Sequence, residues 1–317
     1  MKSHPLVRPV LVLGFSLWLL FSCGGPAGRT DPALLAEARQ LAANGSHWFN
    51  LGCYEKAGRF FHQALENSRL LDDVPGIIRA RNNLGAVALA LGRLDEAAGH
   101  LREALDLCRS VQGSPEESLI YGNLASLAYK AGRVKDAEEF WLKAVSTAET
   151  RSDRPGLALH LTNLGALLRR QGRIKEAALL LEQALGEAAG NGDPRGQAGA
   201  RLELGLLAQA DGDLAQAEEH LTLALGLDKE AENPRGIAQD LEQLGRHYQN
   251  RKMWDQAAVF LDRAVYLYSS LGRGDKVEEL VGLLEANSTA GGRPESLEPY
   301  KKLLEKKAVE REDALCR

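Results

Sequence analysis

Apolar and polar residues follow one another along most of this chain with the period of an amphipathic α-helix. In one stretch the apolar positions fall three or four residues apart, at Ile77, Ala80, Leu84, Val87 and Leu91. Positions between them are mostly polar or small, so one face of the segment is apolar. The pattern predicts a helix that packs against another element.

The same helical pattern returns at a constant interval of 40 residues. A glycine or alanine column marks the register without insertions, at Gly45, Gly85, Ala125, Gly165, Gly205 and Gly245. A fixed period of this length is typical of a repeat protein, in which each unit buries its apolar face only against its neighbours.

Each unit reads as two helices. The first helix ends at a glycine, which a helix needs where the chain turns left-handed, and the sixth unit has Lys252 there instead. The second helix alternates small and large residues, as in Ala177, Leu181 and Ala184, so that neighbouring helices approach closely. A proline precedes each new unit, at Pro75, Pro115, Pro155, Pro194 and Pro234.

These columns resemble the tetratricopeptide repeat over residues 33 to about 268, in the long-period branch that includes kinesin light chain. The resemblance implies an all-α fold, a right-handed superhelical solenoid of antiparallel helix pairs. We expect six repeats over 33–272, a degenerate seventh unit with a capping helix over 273–310, and a tail over 311–317. The predicted capping helix spans Ser296 to Glu310, and a basic membrane-surface helix is the alternative for that segment.

The N-terminus resembles a bacterial lipoprotein signal. A basic start with Lys2 and Arg8 precedes the apolar run Val10–Phe21, which is too short to span a membrane. Ser22 and Cys23 follow, then two glycines. The resemblance implies that residues 1–22 are removed, that Cys23 carries the lipid, and that 23–32 form a short tether. The alternative is an ordinary secretory signal with an incidental cysteine.

The composition and the motifs of the chain exclude several classes of function. The formal charge of −4 argues against a nucleic-acid partner. We find no catalytic motif and no histidine pair at metal-ligand spacing, so we expect neither an enzyme nor a cofactor or metal site. Cys53 and Cys108 fall in different units, and we expect no disulfide between them, while the redox state of Cys53, Cys108 and Cys316 stays open.

The first helices carry the candidate binding residues. Asn83, Asn123 and Asn163 share one column, and in superhelical members of the resembled family such a column faces inward and bonds a peptide backbone. The alternative is that these amides bond a neighbouring helix. Cations accompany them and favour an acidic partner, or else solvate the turns: Lys130, Arg133, Arg169, Arg170 and Arg173, of which Arg169 and Arg170 are the stronger candidates.

Together these features predict a membrane-tethered, non-catalytic scaffold of the bacterial cell envelope. It would bind another protein or an extended, acidic peptide in its concave groove. The alternative is an accessory subunit of an envelope enzyme, such as a peptidoglycan hydrolase or protease, or of a pilus or secretion assembly. Gly24 after the lipid cysteine favours the periplasmic face of the outer membrane if the source is Gram-negative.

Overall fold

The protein is a stack of helix pairs. The structure, a computed structural model, describes residues 31–111, 113–292, 299, 300, 303 and 316. Within them the chain forms thirteen helices and no strand, which confirms the all-α repeat fold. The helices are α1 (Pro32–Asn50), α2 (Tyr54–Leu70), α3 (Val74–Ala90), α4 (Leu94–Ser110), α5 (Glu117–Lys130), α6 (Val134–Thr150), α7 (Arg154–Arg170), α8 (Ile174–Gly190), α9 (Pro194–Asp211), α10 (Leu214–Glu230), α11 (Pro234–Asn250), α12 (Trp254–Ser270) and α13 (Gly274–Ala290).

Odd-numbered helices are the first helices of the predicted units, and even-numbered helices are the second. Each odd helix packs against the even helix that follows it, and α13 occupies the place of a seventh first helix. The predicted signal segment, its Cys23 and most of the expected 296–310 helix lie outside the described residues.

Short turns with one left-handed residue separate the helices. Gly52, Gly92, Gly132, Gly172 and Gly212 take positive φ between 75° and 90°, as their column predicts. Lys252 turns with φ of 59°, so the sixth unit does accept the strained conformation in a non-glycine residue. The turns between units also contain one left-handed residue each. In three of these turns the residue is not glycine, so the sequence did not predict its positive φ: Asp72, Ser152 and Glu232.

The core is built from the small and large columns of the second helices. Ala57, Ala97, Ala137, Ala177, Ala217 and Ala257 are completely buried. The large residue four positions later lies against the glycine column of the first helix. A Cβ added at Gly165 would stand 2.7 Å from Leu181, closer than side chains tolerate. The two helices therefore touch where the glycine removes a side chain.

First helices of successive units contact one another, whereas second helices of successive units make no contacts of similar extent in the described part of the chain. The stack therefore curves, with the odd helices on its inner face and the even helices on its outer face. No helix among the described residues is long and apolar enough to cross a membrane.

The curvature brings the first unit against the sixth. Arg235, at the start of α11, donates from Nη1 to the carbonyl oxygen of Phe49 over 3.4 Å, and its guanidinium lies 5.4 Å from the Tyr54 ring centre. Cys53 forms a disulfide with Cys316, a pairing that the sequence did not predict, and Cys108 is a free, buried thiol. One superhelical turn thus closes on itself through contacts and a covalent bond.

Replacing Ala177 by leucine should destabilise the middle of the stack. Ala177 is completely buried where α8 meets α7, so the added carbons have no free space and overpacking costs about 1–3 kcal/mol of unfolding free energy. Chemical denaturation measures the change. Leu179→Ala, at a side chain that is 73% exposed on the same helix, is the control and should change stability little. Equal effects of the two variants would contradict the assigned register.

Candidate functional site

The inner face of α5, α7 and α9 forms a groove that crosses the helices, and we call this surface the groove. Leu119 and Leu159 lie at its N-terminal side, 37% and 49% exposed. Asn123 and Asn163 follow one helical turn later, and Lys130 and Arg170 lie at its C-terminal side. Repetition at one register places each kind of side chain in a row.

The three asparagines predicted to face a peptide differ in their surroundings. Asn123 donates from Nδ2 to Oδ1 of Asn82 in α3 over 2.8 Å, which is the neighbouring-helix bond that the sequence left as the alternative. Asn83 lines a cavity of about 130 Å³ against α1. Asn163 is half-buried, and its side chain makes no hydrogen bond to any described residue. Asn83 likewise makes no side-chain hydrogen bond to a described residue, so Asn83 and Asn163 are the members of the column free to bind a partner, and Asn163 is the one that lies in the groove.

The predicted basic set is divided by the structure into paired and unpaired cations. Arg169 was a leading candidate, but its Nη2 lies 2.9 Å from Glu203 Oε2 and the two side chains are only 15% and 12% exposed. Arg169 therefore joins α7 to α9 and is not offered to a ligand. Its partner is 34 residues away in the chain, so helical spacing gave no sign of it.

Arg173 and Arg133 also have partners of their own. Arg173 lies 2.5 Å from Glu138 and 2.7 Å from Glu176, and hydrogen bonds to these carboxylates raise the pKa of its guanidinium. Arg133 lies 3.2 Å from Asp136. Both arginines are therefore engaged with carboxylates at or next to the turns.

Three cations of the groove have no carboxylate within 4.0 Å in the described part of the chain. Lys130 is exposed, and Arg170 stacks on Tyr129 with 5.3 Å between guanidinium and ring centre. Arg195, at the first turn of α9, donates from Nη2 to the Ala231 carbonyl oxygen over 3.2 Å. The sequence analysis did not single out Arg195. Its position, 40 residues after Pro155 and four residues before Gly199, places it in the same repeat register as the groove residues.

Two cavities open on the groove at Arg195 and Gly199. The first, about 430 Å³, lies beside Leu119 and Leu159 and has a largely apolar wall. The second, about 510 Å³, lies between the first unit and α9–α11 and is lined in part by His47, Asn50 and Arg235. Both volumes fall within the range of about 300–1,000 Å³ that is usual for ligand pockets. Because Arg195 and Gly199 line both cavities, the two are adjacent.

The carboxylates of the apolar cavity are already bound to backbone amides. Asp153 Oδ1 accepts the Gly156 N–H over 3.0 Å, and Asp193 Oδ1 accepts the Arg195 N–H over 3.1 Å. Both residues cap helix N-termini, where the helix dipole favours negative charge. Beside the apolar cavity, Arg195 is therefore the charged side chain that has no partner within the same wall.

Two buried carboxyl groups lie behind the second cavity, where α10 meets α11. Asp228 accepts from Asn233 Nδ2 over 2.9 Å, while Asp240 is 1% exposed and one of its oxygens has no partner. Burial, together with the neighbouring Asp228 carboxylate, raises the pKa of Asp240. Burial also raises the pKa of Asp228. Burial and the neighbouring carboxylate therefore favour the protonated form of Asp240, which can donate to Asp228.

The described residues hold no group of three His, Cys, Asp or Glu side chains arranged to bind a metal ion. His160, a buried histidine of α7, packs against Gly122, and burial lowers its pKa to about 4. The groove is thus a surface of amides, apolar side chains and unpaired cations, which is suited to holding a ligand.

Comparison with known proteins agrees with this architecture. A curved stack of helix pairs with an open inner groove defines a helical-repeat scaffold. The family profile of the tetratricopeptide repeat matches residues 37–110 and 116–186. These two stretches therefore carry tetratricopeptide repeats, as the columns predicted. No curated protein matches it in sequence.

Solved structures share the fold at low sequence identity. A Rap protein complexed with Competence and Sporulation Factor is 17% identical with a TM-score of 0.63, over 75% of this chain and 65% of that one. The apo form of RapI is 13% identical with a TM-score of 0.60, over 87% and 97% of the two chains. BtubC from P. vanneervenii is 18% identical with a TM-score of 0.52, over 76% and 93%. At these identities the similarity concerns the fold.

Replacing Asp240 by asparagine should remove one component of the pH dependence of stability. A carboxyl whose pKa is raised on folding stabilises the protein below its unfolded pKa, about 3.9, and this contribution is lost as pH rises through the folded pKa. Asparagine keeps a donor for Asp228 without titrating, so the variant should gain stability relative to wild type as pH rises from mildly acidic to mildly alkaline values.

The measurement is the unfolding free energy of both proteins across that pH range. Taking their difference cancels the opposite contribution of His160 and of the other buried histidines. Asp106→Asn, at an exposed carboxylate of α4, is the matched control and should give a flat difference. A flat difference for Asp240→Asn as well would show that Asp240 titrates normally.

Proposed function

We propose that this protein is a lipid-anchored scaffold of the bacterial envelope that holds an extended segment of another protein in the groove. The observation that carries the proposal is made on the inner face of α5, α7 and α9. There Leu119 and Leu159 are exposed to the groove, and the partly exposed side chain of Asn163 makes no hydrogen bond to a described residue. Concave faces of helical repeats provide extended binding surfaces. A Rap protein of the same fold was solved complexed with a factor, which is consistent with the proposal.

Two features support a place outside the cytoplasm. The lipoprotein-like segment before Cys23 would direct export and attachment. Independently, the Cys53–Cys316 disulfide suits an oxidising compartment, since cytosolic thiols are normally kept reduced. Lipid attachment at Cys23 would then keep the first unit close to the membrane, because only a short segment separates Cys23 from α1.

Replacing Cys23 by serine should release the protein from the membrane. The variant loses the attachment site, and each buried lipid methylene contributes about 0.8 kcal/mol to anchoring. Cell fractionation with a high-salt wash, combined with intact-mass measurement of the lipid, tests this expectation. Cys108→Ser, which leaves the N-terminus unchanged, is the control. A Cys23→Ser protein that stays membrane-bound without lipid would contradict the anchor.

Site-specific photo-crosslinking tests the groove itself. A photo-reactive phenylalanine analogue replaces Leu159 on the inner face or, as the matched control, Leu179 on the outer face; both leucines are exposed. In living cells we expect a discrete crosslinked protein from position 159 and none from position 179. The same product from both positions, or a product from position 179 alone, would place the binding surface elsewhere.

A further inference from the structure

Gly199 is the residue on which the two cavities of the groove meet. It lies within α9 at the register of Leu119 and Leu159, where the two earlier units carry large side chains. A Cβ added at Gly199 would meet no atom within 4 Å, so the glycine is not required for packing between helices. Its effect in this structure is to leave open the space between an apolar wall and Arg195.

The open space has the character of a side-chain pocket. Leu119, Leu159 and Pro155 give it an apolar wall, and the cavity beside them measures about 430 Å³. Exposed leucines on an inner face gain free energy when an apolar group covers them, at about 25 cal/mol for each Å² removed from water. A large aliphatic side chain is the group that such a wall accepts.

The neighbouring amide fixes how that side chain would arrive. Asn163 lies one helical turn beyond Leu159 on the same face, and its side chain is unbonded. A primary amide both donates and accepts, so it can pair with one peptide group of an extended chain. A backbone held at Asn163 would pass beside the apolar wall. This arrangement favours a peptide over a compact molecule.

Charge decides what flanks the aliphatic residue. Arg195 borders the pocket, and Lys130 and Arg170 lie across the groove, all without a carboxylate partner within 4.0 Å among the described residues. Of the carboxylates near the apolar pocket, Glu203 is paired with Arg169, and Asp153 and Asp193 each accept a helix N-terminal amide, whereas Glu232 and Asp228 line the second cavity only. Acidic residues on the ligand would supply the missing partners on either side.

We infer that the groove selects an extended peptide that places a large aliphatic side chain in the pocket beside Gly199, with an acidic residue next to it at Arg195 and a further acidic residue several positions along the peptide at Arg170. This inference rests on the proposed function and specifies its partner. The occupant is therefore defined by three contacts: an aliphatic side chain at Leu119 and Leu159, a backbone amide at Asn163, and carboxylates at the cations.

The experiment selects binders from a display library of random linear peptides on the full mature chain with its disulfide intact. Affinities of the selected peptides are then measured by fluorescence polarisation for wild type and for matched variants. Gly199→Leu fills the pocket, and Gly186→Leu makes the same change at an exposed site of α8 where a Cβ also meets nothing within 4 Å. Both changes replace glycine inside a helix, so both variants should fold at least as stably as wild type.

We expect the selected peptides to share a large aliphatic residue with acidic neighbours. Gly199→Leu should weaken them about tenfold or more, whereas Gly186→Leu should leave their affinity at the wild-type value. Arg195→Glu should also weaken them, in contrast to Arg109→Glu on the outer helix α4, and wild-type affinity should fall with added salt. This combination would establish the pocket and its charge preference.

Other results overturn the inference in distinguishable ways. Peptides that lose affinity with Asn163→Ala, but not with the outer-face control Gln183→Ala, and that bind Gly199→Leu normally would keep the proposed groove and remove the pocket. Selected peptide sequences that are basic, or that lack an aliphatic residue, would also contradict the pocket while leaving the proposed groove in place. A concentration-dependent dimer that Gly199→Leu abolishes would assign the pocket to a second copy of the chain. No selection at all, or binders indifferent to both Asn163 and Gly199, would overturn the proposed function together with the inference.

Discussion

The close contact between a glycine of each first helix and a large side chain of its partner is the interaction on which the molecule depends. Phe61, Leu101, Leu181, Leu221 and Leu261 lie where a Cβ on the glycine column would approach to between 2.6 and 2.8 Å. Each contact fixes the distance and rotation within one helix pair. Because the same contact recurs in nearly every unit, small identical rotations add up to a regular curve. The groove and its closure follow from that curve.

Unit three shows how far this contact can vary. Ala125 replaces the glycine, and Trp141 replaces the leucine or phenylalanine, yet both are buried in the same cluster as their neighbours. An indole is wide and flat, so it can lie against a methyl group that would obstruct a branched aliphatic side chain. Variation in this column is tolerated when both partners change together. The requirement is the fit between two surfaces, and glycine is one way of meeting it.

Features set by local spacing were predictable, and features set by distant partners were not. Helices, turn glycines and the small-residue columns repeat within one unit, so the sequence alone identified the fold. Asp72, Ser152 and Glu232 turn left-handed without a glycine to announce it. The ion pair of Arg169 with Glu203, the bond of Asn123 to Asn82 and the proximity of Asp228 to Asp240 each join different units. These partners can be identified only when the rotation of each unit relative to the next is known.

The groove also shows that one residue type serves two purposes in neighbouring positions. Arg169 forms an ion pair with Glu203, and this pair connects α7 to α9. Arg170, the next residue, stacks on the ring of Tyr129. Adjacent residues on a helix face different directions, so a single arginine pair both holds the scaffold and equips its surface. A change at Arg169 removes a contact between two helices, whereas a change at Arg170 leaves that contact intact.

The bond between Cys53 and Cys316 changes the topology of the molecule. Linear repeat arrays have two ends, and their terminal units open most readily because each has a neighbour on one side only. Joining the second helix to a cysteine near the C-terminus turns the array into a covalent ring that includes every unit from the second onward. Helix α1 stays outside this ring, but within the ring the loss of one interface leaves the rest of the chain to hold its two sides together. A force applied to a ligand in the groove would then be distributed over the interfaces between units and over the disulfide.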